Sequence, residues 1–217
     1  MMSRSFTVAD VMTKKVVAVL PGAEFKEIAA AMERWKVTAV PVVEGEGRVV
    51  GVVSEADLLL KEEFHGHRLG LVEQMRRLDA TAKAGSRRAE DLMTSPAVTV
   101  GPGASLPQAA RLMASHHVKR LPVVDVSGTI QGVVSRSDLL KVFLRPDDDL
   151  AAEVRHEVVE HLFPLSHRKV EVRVDAGVVT LSGEVRDSAL VPLAERLART
   201  VEGVVDVRCD LTARSTA

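Results

Sequence analysis

Two short stretches of the chain carry the side chains best suited to hold a sugar phosphate. Gly51-Val52-Val53-Ser54-Glu55-Ala56-Asp57 and Gly132-Val133-Val134-Ser135-Arg136-Ser137-Asp138 each run an apolar, strand-like segment into a serine, with an aspartate three residues further on. A serine at a helix start sits among backbone amides that lack intrahelical partners, and the helix dipole favours phosphate or ribose oxygens there. Asp57 and Asp138, one turn in, can accept two hydrogen bonds from a ribose diol. The same spacing is also a helix-capping pattern, in which Ser54 and Ser135 only cap and the aspartates only complement the dipole. The residues by themselves leave both roles open.

These stretches belong to a larger repeat. Residues 10 to 59 align with residues 91 to 140 at a constant offset of 81 without a gap, and 22 of the 50 pairs are identical. The copies share Asp10-Val11-Met12-Thr13 with Asp91-Leu92-Met93-Thr94, Pro21-Gly22-Ala23 with Pro102-Gly103-Ala104, and Pro41-Val42-Val43 with Pro122-Val123-Val124. In the first copy Phe25, Ile28, Ala29 and Met32 recur at helical spacing, two strands follow near Val40 to Val43 and Arg48 to Val53, and a second helix starts after Ser54. Leu106, Ala109, Ala110 and Met113, then Leu121 to Val124 and Thr129 to Val134, repeat the scheme. Each copy therefore reads β-α-β-β-α. About 50 residues offer too little apolar surface to bury a sheet alone, so the copies are expected to pack together about a pseudo-twofold axis with two equivalent clefts between them.

Between the copies, residues 61 to 88 read as a linker helix through Leu69, Val72, Met75 and Leu78, followed by the basic turn Lys83-Ala84-Gly85-Ser86-Arg87-Arg88. Arg145-Pro146-Asp147-Asp148-Asp149 breaks the pattern and marks a domain boundary. Beyond it Val154, Val158 and Leu162 mark a helix. Val170, Val172 and Val174 alternate with charged residues up to the turn Asp175-Ala176-Gly177, Val179, Leu181 and Val185 return, Pro192 opens a helix, and Val205 to Leu211 form a last strand. This tail reads α-β-β-α-β. The chain as a whole is α+β.

Composition narrows the function classes. At 217 residues, 46% hydrophobic and 27% charged, the chain is an ordinary globular sequence, and a formal net charge of −1 supplies no field to draw in nucleic acid or an anionic membrane. One cysteine, Cys209, excludes an intrachain disulfide and fits a reducing compartment. No apolar run reaches the length of a membrane helix and no signal-peptide core is seen, so the expected location is the cytoplasm. His65 and His67, His116 and His117, and His156 and His161 contain no pair at the i,i+4 spacing of a helical zinc site, so no metal is expected. No Ser, His and Asp set stands in a catalytic context. Trp35 is expected in the core or a dimer contact.

The two Asp-x-Met-Thr openings, the two Pro-Val-Val strands and above all the doubled Gly-Val-Val-Ser-x-x-Asp resemble a pair of CBS domains, a Bateman module, with copies over 8 to 60 and 89 to 143 and the linker between. Residues 149 to 213 resemble the BON domain, through Asp175-Ala176-Gly177-Val178-Val179-Thr180-Leu181-Ser182-Gly183 and Val201-Glu202-Gly203-Val204-Val205-Asp206-Val207. The first resemblance implies a non-catalytic regulatory protein that binds an adenine nucleotide (AMP, ADP or ATP) in the inter-repeat clefts, with Ser54, Asp57, Ser135 and Asp138 on ribose or phosphate. It also implies Lys119 and Arg120 of the second copy on phosphate, the backbone of Val16 and Ala97 flanking adenine, and a disc-like homodimer. The first copy has Thr38 and Ala39 where the second has Lys119 and Arg120, with Lys36 nearby, which predicts unequal sites. The BON resemblance implies an alternative, a dimeric scaffold whose tail binds phospholipid or another macromolecule through Lys169, Arg173 and Arg186.

Overall fold

The structure, a computed structural model, describes residues 6–59, 87–166 and 169–213; the helix expected within 61 to 88, together with His65 and His67, lies outside them. In the first copy a single helical turn, α1 (Val8–Val11), leads through Val19 to helix α2 (Phe25–Trp35), strands β1 (Ala39–Glu44) and β2 (Arg48–Ser54), and helix α3 over 55–59. The second copy repeats this as α4 (Ala89–Leu92), α5 (Leu106–Ser115), β3 (Arg120–Val124), β4 (Ile130–Ser135) and α6 (Arg136–Leu139). Helix α5 is capped by the Ser105 hydroxyl, which accepts from the Gln108 amide, whereas α2 begins at Glu24 with no side-chain cap. Both helices bury the apolar positions set out by their spacing, Ile28 and Met32 in α2 and Leu106, Ala109 and Met113 in α5.

Strands β1 and β2 pair antiparallel, as do β3 and β4, and each hairpin carries a register shift at the same place, between Val42 and Val43 and between Val123 and Val124. The leading strand expected in each copy is shorter than the pattern β-α-β-β-α implies. It is one parallel bridge, Val19 to Val42 and Val100 to Val123, in which the Val19 amide donates to the Pro41 carbonyl (3.0 Å) and the Val43 amide to the Val19 carbonyl (2.9 Å). Pro21 and Pro102 follow at once; having no amide hydrogen, they stop the ladder.

The remaining bridges obey the offset of 81. Thr13 to Val133 is mirrored by Thr94 to Val52, Thr7 to Ser105 by Arg88 to Glu24, and Arg48 to Thr129 is its own mate, as a pseudo-twofold axis requires. They also show that the openings are exchanged. The Val8 and Ala9 amides donate to the Ala104 and Pro102 carbonyls of the second copy, and the Ala89 and Glu90 amides to the Ala23 and Pro21 carbonyls of the first, each at 2.9 Å. Met12 consequently packs on Gly132 and Met93 on Gly51: a Cβ at Gly132 would stand 2.7 Å from the Met12 sulfur, and one at Gly51 would overlap Met93. Only glycine lets the crossing segment lie that close. One core joins Ile28, Val40, Val42 and Val53 with Ala89 and Leu92 from the other copy's opening.

The chain divides into two compact units, Thr7–Arg136 and a second that takes Phe6 and the residues from Ser137 onward. In the second, α7 (Asp147–Val154) continues as a π-helical turn (Arg155–Glu160), followed by β5 (Val170–Asp175), β6 (Val178–Val185), α8 (Val191–Ala198) and β7 (Asp206–Ala213). The sheet order is β5-β6-β7, antiparallel then parallel. Val170, Val172, Val179, Leu181 and Val207 point to one face and are buried with Leu150, Val154 and Val158 from the first helix and Ala194 and Ala198 from α8. Asp147, Asp148 and Asp149 are the first turn of α7, where carboxylates complement the dipole. Asp147 does more: its two oxygens accept the Ala176 and Gly177 amides, each at 2.9 Å, and so hold the tight turn between β5 and β6.

Trp35, expected in the core or a dimer contact, is 44% exposed on the edge of the first copy, with the Lys15 ammonium 4.9 Å and the Arg34 guanidinium 5.5 Å from its ring centre. Cys209 lies half-buried on β7, and burial raises its thiol pKa.

Candidate functional site

Ser54 is the last residue of β2 and helix α3 starts at the next, so its amide and hydroxyl sit at the switch from strand to helix. The Asp57 carboxylate turns back on it: Oδ2 accepts the Ser54 amide at 2.9 Å and the Ser54 hydroxyl at 2.7 Å. This is the returning half of a capping box. Capping is thus made in the first copy, and it fixes the carboxylate beside the serine Oγ. In the second copy Asp138 is buried, and its Oδ1 lies 2.6 Å from the Lys141 ammonium. Lys141 has no cationic counterpart, since the first copy carries Leu60 there.

The residue after each serine is anchored in the same way in both copies. The Glu55 amide donates to the Thr38 carbonyl at 3.0 Å and the Arg136 amide to the Lys119 carbonyl at 3.1 Å. These bonds pull the start of each helix onto the start of its partner strand. A cleft of about 230 Å³ opens there, lined by Thr38, Ser54 and Glu55 of the first copy and by His117, Lys119 and Arg120 of the second. That volume falls below the roughly 300 to 1,000 Å³ of typical ligand sites, so it leaves room for one small ligand at most.

Three of the residues singled out in the sequence, Ser54, Lys119 and Arg120, meet in this cleft, and Asp57 reaches it through Ser54. Lys119 and Arg120 are not the property of the second copy's motif. Arg120 is the register partner of Ser135, yet it lines the cleft that holds Ser54, because the pseudo-twofold axis sets the beginnings of the two hairpins side by side. Ser135, Val16 and Ala97 are outside the described lining of the cleft, Val16 and Ala97 being half-buried beyond the exchanged openings; Asp138 belongs to the C-terminal unit.

Two polar lining residues escaped the sequence reading, Glu55 and His117. Glu55 directly follows Ser54 and so had to lie beside it. His117 occupies a left-handed position after α5, with φ of 54°, matching Lys36 after α2 with φ of 53°. A helix that ends on a non-glycine residue in this conformation turns that side chain out of the helical path, and the pattern Ser115-His116-His117 before a strand was the available hint. Lys36 itself pairs with Glu33, holding that carboxyl below its usual range by a hydrogen bond first and by charge second.

Among the described residues, no group of three or more His, Cys, Asp and Glu side chains is arranged to hold a metal ion. His156 and His161 turn to local partners, the Glu160 carboxylate at 3.1 Å and the His156 carbonyl at 2.7 Å. On the sheet face of the C-terminal unit, Arg173 Nε donates to Glu171 at 2.7 Å, which offsets part of the basic face. Among the described residues no helix is long and apolar enough to cross a membrane.

A doubled hairpin unit with exchanged openings and a cleft between its copies is the architecture of a CBS-domain pair. The family model for the CBS domain matches residues 8–62 and 89–145, and that for the BON domain matches residues 146–215. The chain belongs to the CBS-domain family and joins its CBS pair to a BON domain. Over 133 residues it is 32% identical to the CBS domain-containing protein YhcV of Bacillus subtilis, a match that spans 61% of this chain and 82% of YhcV. Over 156 residues it is 27% identical to the uncharacterized protein MJ1426 of Methanocaldococcus jannaschii, spanning 63% of this chain and 90% of that protein. Among solved structures it is similar to CBSX2, a protein of Arabidopsis thaliana whose crystal structure was determined in complex with AMP, with 30% identity and a TM-score of 0.57 over 64% of this chain and 97% of CBSX2.

Proposed function

We propose that the CBS pair is a non-catalytic, cytoplasmic sensor that takes up an adenine nucleotide in the cleft between its copies and relays occupancy to the BON domain or to a partner. The observation that carries this reading is the convergence of Ser54, Lys119 and Arg120 from two copies on one cleft, with the Asp57 carboxylate held 2.7 Å from the Ser54 hydroxyl. Such a set offers a carboxylate and a hydroxyl to a ribose and two cations to a phosphate. The AMP complex of CBSX2, at 30% identity over the same part of the chain, supports the ligand class. Binding to one arrangement of the copies stabilises it by RT ln(1 + [L]/Kd), about 2.7 kcal/mol at 100-fold saturation, enough to move a balanced equilibrium almost entirely to one side.

Isothermal titration with AMP, ADP and ATP tests the reading: a saturable heat is expected for at least one, and silence from all three at millimolar concentration with folded protein would overturn it. The same preparation is expected to run as a homodimer in light scattering. Liposome co-sedimentation decides the scaffold alternative, which needs firm, salt-sensitive pelleting of the full chain.

A further inference from the structure

The three-stranded sheet of the C-terminal unit ends in two edge strands, β5 and β7, and they are not alike. At the start of β7, side chains engage the backbone of Val207: its amide donates to Asp206 Oδ1 at 2.8 Å and its carbonyl accepts Arg199 Nη2 at 3.1 Å. On β5 the contact is looser. The exposed Arg155 reaches the Val172 carbonyl at 3.4 Å, longer than the roughly 2.7–3.2 Å of well-made bonds of this kind. An edge strand offers its unpaired amides and carbonyls to any strand that fits.

The hairpin fixes which groups of β5 face outward. Ala176 and Gly177, with φ of 49° and 76°, make a two-residue turn that closes on a hydrogen-bonded pair, Asp175 with Val178. Antiparallel pairs alternate between bonded and unbonded, so Arg173 and Glu171 also bond to β6, at Thr180 and Ser182, while the amides and carbonyls of Val170, Val172 and Val174 point away from it. The reach of Arg155 to the Val172 carbonyl agrees. Side chains alternate as well. Val170 and Val172 are buried in the core, whereas Lys169, Glu171, Arg173 and Asp175 are exposed and run plus, minus, plus, minus. The β6 neighbours of Glu171 and Arg173 are the uncharged Ser182 and Thr180, and the two charges pair along their own strand at 2.7 Å.

We propose that β5 pairs antiparallel with β5 of a second copy, about a twofold axis through Val172, and joins the two BON sheets edge to edge. That register sets Lys169 opposite Asp175, Glu171 opposite Arg173 and Val170 opposite Val174, and turns the outward amides and carbonyls of the three valines of each strand on one another. The strand is thus complementary to itself in charge, in apolar face and in hydrogen-bonding groups. Other registers are penalised. A slip of one residue sets valines against the charged face, and a slip of two, in either direction, sets like charges opposite: Glu171 with Asp175 and Arg173 with Arg173, or Lys169 with Arg173 and Glu171 with Glu171. The pairing asks nothing of the CBS pair and is independent of the nucleotide reading.

Two measurements on the full chain test it. Amide exchange followed by NMR over a dilution series reads the ladder directly: the amides of Val170, Val172 and Val174 are expected to exchange about tenfold faster in dilute than in concentrated protein, while those of Glu171, Arg173 and Asp175, bonded to β6, stay protected throughout and show that the domain is folded. Exchange of the three valine amides that is fast at every concentration overturns the pairing. In analytical ultracentrifugation, Arg173→Glu sets Glu171 opposite a second carboxylate at both symmetry-related positions and is expected to weaken self-association about tenfold; the swap Glu171→Arg/Arg173→Glu restores opposite charges and should regain wild-type association. Whatever association the CBS pair adds is common to all three proteins. Equal association of Arg173→Glu and wild type overturns the proposal, as does a swap that keeps its β6-bonded amides protected yet associates no better than Arg173→Glu. Should a variant lose that protection and so not fold, the dilution series on wild type decides alone.

Discussion

The two CBS copies hold the same motif in different company. In the second, the Lys141 ammonium stands 2.6 Å from Asp138; in the first, Leu60 occupies the position that matches Lys141. Helix α5 has its Ser105 cap where α2 has Glu24, and the β3–β4 turn is knitted by Asp125, which accepts from Ser127 and Thr129, where the first copy has Glu44. Yet the backbone joints across the pseudo-twofold, Thr13 with Val133 and Thr94 with Val52, are the same. Duplication has kept the joints, which neither copy can change without the other, and released the side chains at the cleft and at the element ends. The cleft shows the result most clearly, since its serine comes from one copy and its cations from the other.

The joints should be the most sensitive point of that comparison. Gly51→Ala places a carbon into Met93 and Gly132→Ala into Met12 and the Thr13 carbonyl; each is expected to cost about 1–3 kcal/mol of stability in urea unfolding. Shortening the partner sharpens the contrast. Met93→Ala should offset part of the Gly51→Ala loss by removing the Met93 sulfur and Cγ while its Cβ stays 3.0 Å away, and Met12→Ala should offset part of the Gly132→Ala loss while the Thr13 carbonyl stays 3.0 Å away.

The two aspartates come next. Asp57→Ala removes the acceptor of the Ser54 amide and is expected to cost roughly 0.5–2 kcal/mol. In titrations with AMP it should weaken binding more than Asp138→Ala does, the reverse of what the sequence predicts when Lys119 and Arg120 are grouped with their own copy's aspartate, since both line the cleft that holds Ser54. Equal losses would mean that the second motif shares the ligand.

Exchanging the helix caps has a smaller effect. Glu24→Ser, which gives α2 the cap that α5 has, is expected to stabilise by about 0.5–1 kcal/mol, and Ser105→Ala to destabilise by a similar amount, both read as shifts of the thermal midpoint. If neither moves it, the difference between the two helix starts carries no energy.

The smallest effect is acid sensitivity. Hydrogen bonds to Asp125, first from the Ser127 hydroxyl and then from the Thr129 amide, hold its carboxyl below the ordinary range. A depressed folded-state pKa adds stability that is present above the unfolded value and disappears as pH falls through the lowered one, a window that opens below about pH 4. Asp125→Asn should therefore lower stability slightly at neutral pH and flatten its further loss on acidification, so that variant and wild type converge below that point, as urea midpoints measured across the range would show.

Much of this molecule was legible in its residues. Alternation in Val170 to Val174, helical spacing in Phe25 to Met32 and the first-turn proline at 192 each express a local preference, and each element formed where its pattern lay. The leading strands were over-read because proline stops a ladder that apolar residues alone would continue. Asp147 gave no sign that it would tie down a turn 30 residues away, and Trp35, expected in the core or a dimer contact, is not in the core of the chain, because size and hydrophobicity do not say which side of a helix meets water.

The sequence by itself determined the repeat, its register and the spacing that sets each aspartate one helical turn from its serine, because those are written along the chain. Tertiary structure alone decided that the openings change places and that Lys119 and Arg120 share a cleft with Ser54. The physical reason is that a perfect internal repeat offers every segment two equivalent partners, its own copy and the other, and only packing in three dimensions breaks that tie.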